Sequence, residues 1–232
     1  MGTMKNAAFI LFCFLFLSAY SIGQELYPYR DSGGKYGYKE KSGKIIIPAN
    51  YDRAWNFSEG LAVVEVDGKR GFIDTTGKMA IPAGFDVAGS FSQGLASVKI
   101  DGKWGFIDKS GELVISCRFD NVWSFSRGQA KVKIDGKYGT IDKTGRYVIP
   151  VRFDALWFFS EDLGRIKLSG KYGFINMNGD IVIPCQYDEA WAFVDGLARV
   201  RLNGRWGYID NTGKWFDTKK EGTSWINQQD VY

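Results

Sequence analysis

The chain has 232 residues, 45% of them hydrophobic, with 30 lysines and arginines, 26 aspartates and glutamates, and no histidine. Without histidine there is no Ser-His or Cys-His nucleophile pair, no imidazole-rich metal site, and none of the commonest general acid-base group. A formal charge of +4 is too small for bulk electrostatics to name a partner.

The first element is Lys5 followed by an apolar run from Ala7 to Leu17 and the small-residue triplet Ser21-Ile22-Gly23, the layout of a secretory signal peptide. The run falls short of the ~20 residues a bilayer span requires. Residues 1–23 are therefore expected to direct export to the periplasm, envelope or exterior, leaving a mature chain with no membrane span. Cys13 lies inside the run, not after a small residue at its end, so a lipid-attachment reading is weak.

From residue 24 to 217 the chain repeats itself, and 218–232 is a polar tail. VKIDGKWGFID from Val98 returns as VKIDGKYGTID, IKLSGKYGFIN and VRLNGRWGYID. The glycines Gly37, Gly71, Gly105, Gly139, Gly173 and Gly207 follow one another at 34 residues. A fixed period of this length marks a repeat architecture, not one or two ordinary domains.

Within a repeat, the Asp-Gly or Asn-Gly at 67–68, 101–102, 135–136 and 203–204 sits between two alternating segments, which predicts a hairpin with a two-residue type I′ turn. That turn places Lys99 opposite Trp104 and Val98 opposite Gly105. One repeat checks the register: Arg70 replaces the Trp/Tyr of the other copies, and its expected partner, Glu65, is the single acid in a column of Lys99, Lys133, Lys167 and Arg201. Opposite charges across a strand pair attract, where two cations would repel.

A turn ending in glycine (Gly77, Gly111, Gly145 and their equivalents) leads into a third strand such as YVIP. The prolines at 48, 82, 150 and 184 are expected to close it, because proline cannot donate to a ladder. The next dozen residues carry an aromatic-Asp pair and a later Phe, as in Tyr51-Asp52 and Phe57, and read as a structured connector or short fourth strand. A three-stranded meander cannot bury both faces alone, so copies must stack. The central glycines Gly71, Gly105, Gly139, Gly173 and Gly207 are assigned to that contact between copies. Cys117 and Cys185 occupy one repeat position two periods apart, too far for a disulfide at about 5 to 10 Å per repeat, and read as small hydrophobes.

The residues K-[WY]-G-[FY]-I-D-x-x-G, then V-I-P-x-x-[FY]-D, then F-S-x-G-L-A-x-V resemble the WG-repeat, or KWG-repeat, family of bacterial proteins over roughly Lys35 to Phe216. Departures are Arg70 and the tyrosines 36, 138 and 172 in the tryptophan column, Ser116 for a proline, and Asp162 for a glycine. The resemblance implies binding or scaffold modules, often in envelope or secreted proteins, with no general enzymatic activity. The expected fold is all-β: a tandem array of three-stranded antiparallel meanders, stacked as an open, elongated or superhelical form, with a closed propeller-like ring as the alternative. Both terminal units are atypical, as an open array requires of its caps.

Asp52, Asp86, Asp120, Asp154 and Asp188 recur once per repeat, as do Asp74, Asp108, Asp142 and Asp210. Catalytic pairs are usually singular, so these read as turn-forming residues that bond nearby backbone N–H groups. No cofactor or metal is expected. The candidate ligand surface is a basic-aromatic face of Lys99, Lys131, Lys133, Arg165, Lys167, Arg199 and Arg201 with Trp104, Tyr138, Tyr172 and Trp206, joined by Phe174 and Tyr208. Cationic stems lying over rings would shield them structurally; as a site, the face suits an anionic or sugar polymer, or an envelope protein. Nucleic acid would fit such a surface but is not a physiological partner for an exported chain. The sequence points to an exported, non-enzymatic binding or scaffold protein, with a carboxylate-based glycan hydrolase or a purely structural spacer as alternatives.

Overall fold

The structure is a computed structural model and describes residues 25–216; the expected signal segment and the polar tail lie outside the described residues. All regular structure in that range is β, in six antiparallel sheets that follow one another along the chain: sheet I (26–51), II (53–85), III (87–119), IV (121–153), V (155–187) and VI (189–216). Sheet II shows the full plan, a meander of Arg53–Ser58, Leu61–Val66, Lys69–Asp74 and Met79–Phe85. Sheet I has the last three of these strands. No sheet closes on itself and none shares a strand with another, so the array is open.

The central hairpin has the register the sequence requires. Trp104 faces Lys99 and Gly105 faces Val98, while Arg70 faces Glu65 with Nε 3.3 Å from a carboxylate oxygen. Its turns are left-handed at both residues, as in Asp67 (φ 50°) and Gly68 (φ 75°), which matches the twist of the flanking strands. The segment left as a connector or short fourth strand is a fourth strand, the first of its sheet. A second left-handed turn joins it to the next strand at Glu59-Gly60, Gln93-Gly94, Arg127-Gly128 and Asp195-Gly196. In sheet V, Asp162 takes over the glycine conformation at φ 62°.

Two expectations are corrected between the third and fourth strands of each sheet. Trp104 pairs with Phe119 but Phe106 pairs with Ile115, so residues 116–118 bulge opposite the single residue 105. The fourth strand therefore does not stop at proline: Pro82 and Pro150 lie inside Met79–Phe85 and Tyr147–Phe153, at the bulge, a place where proline's missing N–H is tolerated. The central glycines of sheets I to V serve this bulge and not the contact between copies, and Gly207 of sheet VI faces the Trp215 ring of its own sheet. A Cβ on Gly105 would stand 2.4 Å from the carbonyl oxygen of Ile115 in the same sheet. A different glycine column meets the neighbouring sheet, where a Cβ on Gly77 would lie 3.0 Å from Ile47 Cγ2.

Stacking makes the core. One face of each sheet packs on the opposite face of the next: Tyr38 and Ile47 on Ala62, Val64 and Ile73; Phe72 and Ile81 on Ala96, Val98 and Ile107; Phe106 and Ile115 on Ala130, Val132 and Ile141. The series continues through Ile149 on Ile166 and Ile175, then Phe174 and Ile183 on Ala198, Val200 and Ile209. Serine hydroxyls stitch the layers, with Ser58, Ser92 and Ser160 donating to the carbonyls of Phe91, Phe125 and Phe193 at 2.7 to 2.8 Å. Cys117 and Cys185 are free, half-buried thiols that pack beside these layers.

A single residue separates each sheet from the next, and it is the recurring aspartate. In Asp86, Asp120 and Asp188, Oδ1 accepts from the lysine 17 residues upstream (Lys69, Lys103, Lys171) at 2.6 Å. Oδ2 of Asp120 accepts the backbone N–H of Asp135, in the following sheet's central turn, at 2.7 Å. The lysine of each K-[WY]-G motif is thus one half of a clamp between sheets. The other aspartate column caps its own turn, as expected: Asp74 Oδ1 accepts from the N–H groups of Thr76 and Lys78.

The lysine bond is the main cause that holds the carboxyls of Asp52, Asp86, Asp120, Asp154 and Asp188 below their ordinary range. A carboxyl depressed in the folded state adds stability that is present above its unfolded value, about 3.9, and is lost as pH falls through the folded value. The thermal midpoint, followed by circular dichroism, is therefore expected to hold down to about pH 5 and then drop in acid. A midpoint unchanged to pH 2 would contradict the clamp.

Candidate functional site

The cationic and aromatic side chains share the face of each sheet that looks toward the next one along the chain. In sheet III, Lys99 lies 5.9 Å from the centre of the Trp104 ring. In sheet IV, Lys133 lies 5.2 Å from Tyr138, and Lys131 lies 3.9 Å from Trp123 and 4.7 Å from Phe158. In sheet V, Lys167 stands 5.0 Å from Tyr172 and Arg165 4.1 Å from Trp157. Arg199 and Arg201 lie 4.4 and 5.7 Å from Trp206 in sheet VI.

All eleven candidate residues thus sit on the same side of their own sheets, but they do not form one continuous plane. At junctions IV–V and V–VI the next sheet covers part of that side and leaves a crevice, while among the described residues no sheet follows the face that carries Arg199, Arg201 and Trp206. Phe174, expected on this face, is fully buried against Phe193 of the next sheet. The opposite wall of a crevice is the first strand of the following sheet, whose carbonyls take bonds from the cations: Lys131 Nζ to Leu156 O at 3.2 Å, and Arg165 Nη1 to Ala190 O at 2.6 Å. Burial pushes the Lys131 ammonium and the Arg165 guanidinium below their ordinary ranges.

Two sets of lysines behave differently. Those of the clamp are paired with aspartate, whereas among the described residues no carboxylate lies within 4.0 Å of Lys99, Lys131, Lys133, Arg165 or Lys167. Arg201 departs from this pattern by bridging to Glu189. Arg165 Nε is buried with no hydrogen-bond partner. This face therefore presents cations beside aromatic rings, with charge left to offer a ligand.

Sequence reasoning missed half of the aromatic wall. Trp55 and Trp157 lie in the first strand of their sheets and Trp123 and Trp191 directly after it, in the segment that the sequence reads as a structured connector or short fourth strand. Their signal was available, as a tryptophan three residues after the hinge aspartate in four of the five copies. Trp191 remains 49% exposed on the crevice between sheets V and VI, a cleft of about 430 Å³ that Arg165, Lys167 and Tyr172 also line.

The model of the WG containing repeat family matches the chain five times in tandem, at 36–69, 71–104, 104–138, 138–172 and 172–206. The chain belongs to the WG-repeat family. Each WG-repeat match runs from the third strand of one sheet to the start of the third strand of the next, so the sequence unit straddles two structural units. No curated protein matches this WG-repeat chain.

Among solved structures, the crystal structure of the eukaryotic initiation factor superposes with a TM-score of 0.50 at 15% identity, over 86% of this chain and 64% of that one. Hsv2 of Kluyveromyces lactis gives 0.39 at 8% identity, over 68% and 59%. The extracellular domain of a putative hybrid two component system, BT3049 from B. thetaiotaomicron, gives 0.37 at 12% identity, over 83% and 34%. The WG-repeat chain thus spans less than two thirds of each of these chains, and the first likeness speaks to the β fold alone. Among the described residues no helix is long and apolar enough to cross a membrane.

Proposed function

We propose that this WG-repeat protein is an exported, non-enzymatic binding protein whose crevices grip an anionic glycan of the cell envelope. The observation that carries this reading is the row of cations beside rings and without carboxylate partners that recurs in sheets III to VI, as in Lys99, Lys133, Lys167 and Arg199. Aromatic faces suit sugar rings, and a cation at fixed intervals suits a polymer with a regularly spaced negative charge. Each crevice alone would bind weakly; a ligand that reaches several of them gains effective concentration at every further contact.

The test is co-sedimentation with peptidoglycan and with an acidic polysaccharide such as polygalacturonate, at rising salt. Retention is expected to fall steeply as salt screens the exposed charges, and Lys133→Glu/Lys167→Glu is expected to lose at least about tenfold in affinity. No reducing sugar should be released. Equal retention of wild type and variant at all salt concentrations would overturn the reading, and release of reducing ends would replace it with hydrolysis.

A further inference from the structure

The junction between sheets IV and V breaks the pattern of the others in four places at once. Elsewhere an aromatic one residue after the central glycine meets the phenylalanine five residues after the next hinge aspartate: Tyr38 with Phe57, Phe72 with Phe91, Phe106 with Phe125 and Phe174 with Phe193, at ring separations of 4.8 to 5.0 Å. In sheet IV that aromatic is Thr140, the single buried polar side chain among the described residues. Gln129 stands where other copies have Leu61, Leu95, Leu163 and Leu197. Across the junction, Gly164 replaces the alanine column, and Phe158 replaces Asn56, Ser90, Ser124 and Ala192.

These departures act together. Lacking an aromatic partner, Phe159 packs down on Gly164, where a Cβ would stand 2.7 Å from its ring. The space left is a cavity of about 270 Å³, and this junction has five buried core residues where the other four have seven or eight. Its floor is polar and fixed: Thr140 Oγ1 donates to Gln129 Oε1 at 2.7 Å, and Gln129 Nε2 donates to Met177 O at 3.1 Å. Trp157 and the 68% exposed Phe158 supply aromatic wall, and Lys131 supplies an ammonium without a carboxylate partner. Random drift in a repeat would scatter such changes over several junctions; here they converge from two sheets on one cavity.

We infer that this cavity is a binding site for a single acidic sugar ring of the hexuronate class. Lys131 would take the carboxylate, Gln129 and Thr140 would meet ring hydroxyls, and Trp157 and Phe158 would cover the ring faces. The cavity lies just under the roughly 300 to 1,000 Å³ of sites for drug-sized ligands, which suits one ring and not an oligomer. The inference rests on the glycan reading above and deepens it: the regular crevices hold the polymer, and this irregular one reads a unit or an end of it.

The experiment titrates glucuronate and glucose into the full chain, following tryptophan fluorescence and calorimetry. Glucuronate is expected to bind with a dissociation constant on the order of 1 mM, and glucose at least about tenfold more weakly because it has no charge for Lys131. Gln129→Leu/Thr140→Phe restores the residues of the other copies, so it should fold with a higher Tm while losing glucuronate binding. Lys131→Met, a change at the mouth, should abolish the preference for glucuronate over glucose. Unchanged glucuronate binding in the reversal variant, or none in the wild type, overturns the inference, and polygalacturonate retention then still decides the polymer reading on its own. Loss of polygalacturonate retention with glucuronate binding intact sinks the polymer reading and supports the cavity.

Discussion

Gly105→Ala is expected to destabilise the protein by about 3 kcal/mol, although alanine is a small and common strand residue. The added methyl would stand 2.4 Å from Ile115 O and 2.9 Å from Cys117 N, both backbone atoms of the bulge, so no side chain can swing away to admit it. Either the bulge flattens, which moves Phe119 out of register with Trp104, or the two strands part. The control is Gly84→Ala in the preceding sheet, where no atom lies within 4 Å of the Cβ position and φ is not left-handed. That change should be neutral or add about 0.5 kcal/mol by restricting the unfolded chain. Denaturant midpoints of the pair measure the difference, and similar midpoints would show that the bulge yields.

Phe125→Ala is expected to cost about 3 to 5 kcal/mol. The ring is 2% exposed and lies 4.8 Å from Phe106, at the centre of the layer between sheets III and IV. Its effect should also be local. In a stacked array each unit touches only its neighbours, and stability is close to a sum of unit and interface contributions. Hydrogen exchange is therefore expected to accelerate in sheets III and IV, while sheets I and VI keep most of their protection. Uniform acceleration over all six sheets would mean that the array unfolds as one unit.

The hairpin and its register were legible in the sequence because they depend on local chemistry: an Asp-Gly turn fixes which residues face each other, and the Glu65/Arg70 exchange reports that pairing. The first strand of each sheet was legible only as a structured connector or short fourth strand, because in sheets III, IV and VI it pairs over two residues, as in Val87–Ala88, and then resumes at one bridge, such as Ser92 with Leu95. Such a strand has no run of alternation to find. Proline misled for a related reason, since its missing donor is a defect in a regular ladder but not in a bulge. The candidate site was half visible. Cations and rings within one hairpin follow from its register, whereas the crevice depends on how far the next sheet overlaps the first. That overlap is set by packing across the junction, where Thr140 matters only because Phe159 and Gly164 lie opposite it.

The aspartate hinge reaches one lysine 17 residues back and one turn 15 or 16 residues ahead, so each aspartate clamp between sheets closes within a single period. Excising any 34 consecutive residues from the interior, whatever the phase of the cut, rejoins equivalent positions and leaves each clamp with a partner. A change of length by whole periods therefore needs no particular breakpoint.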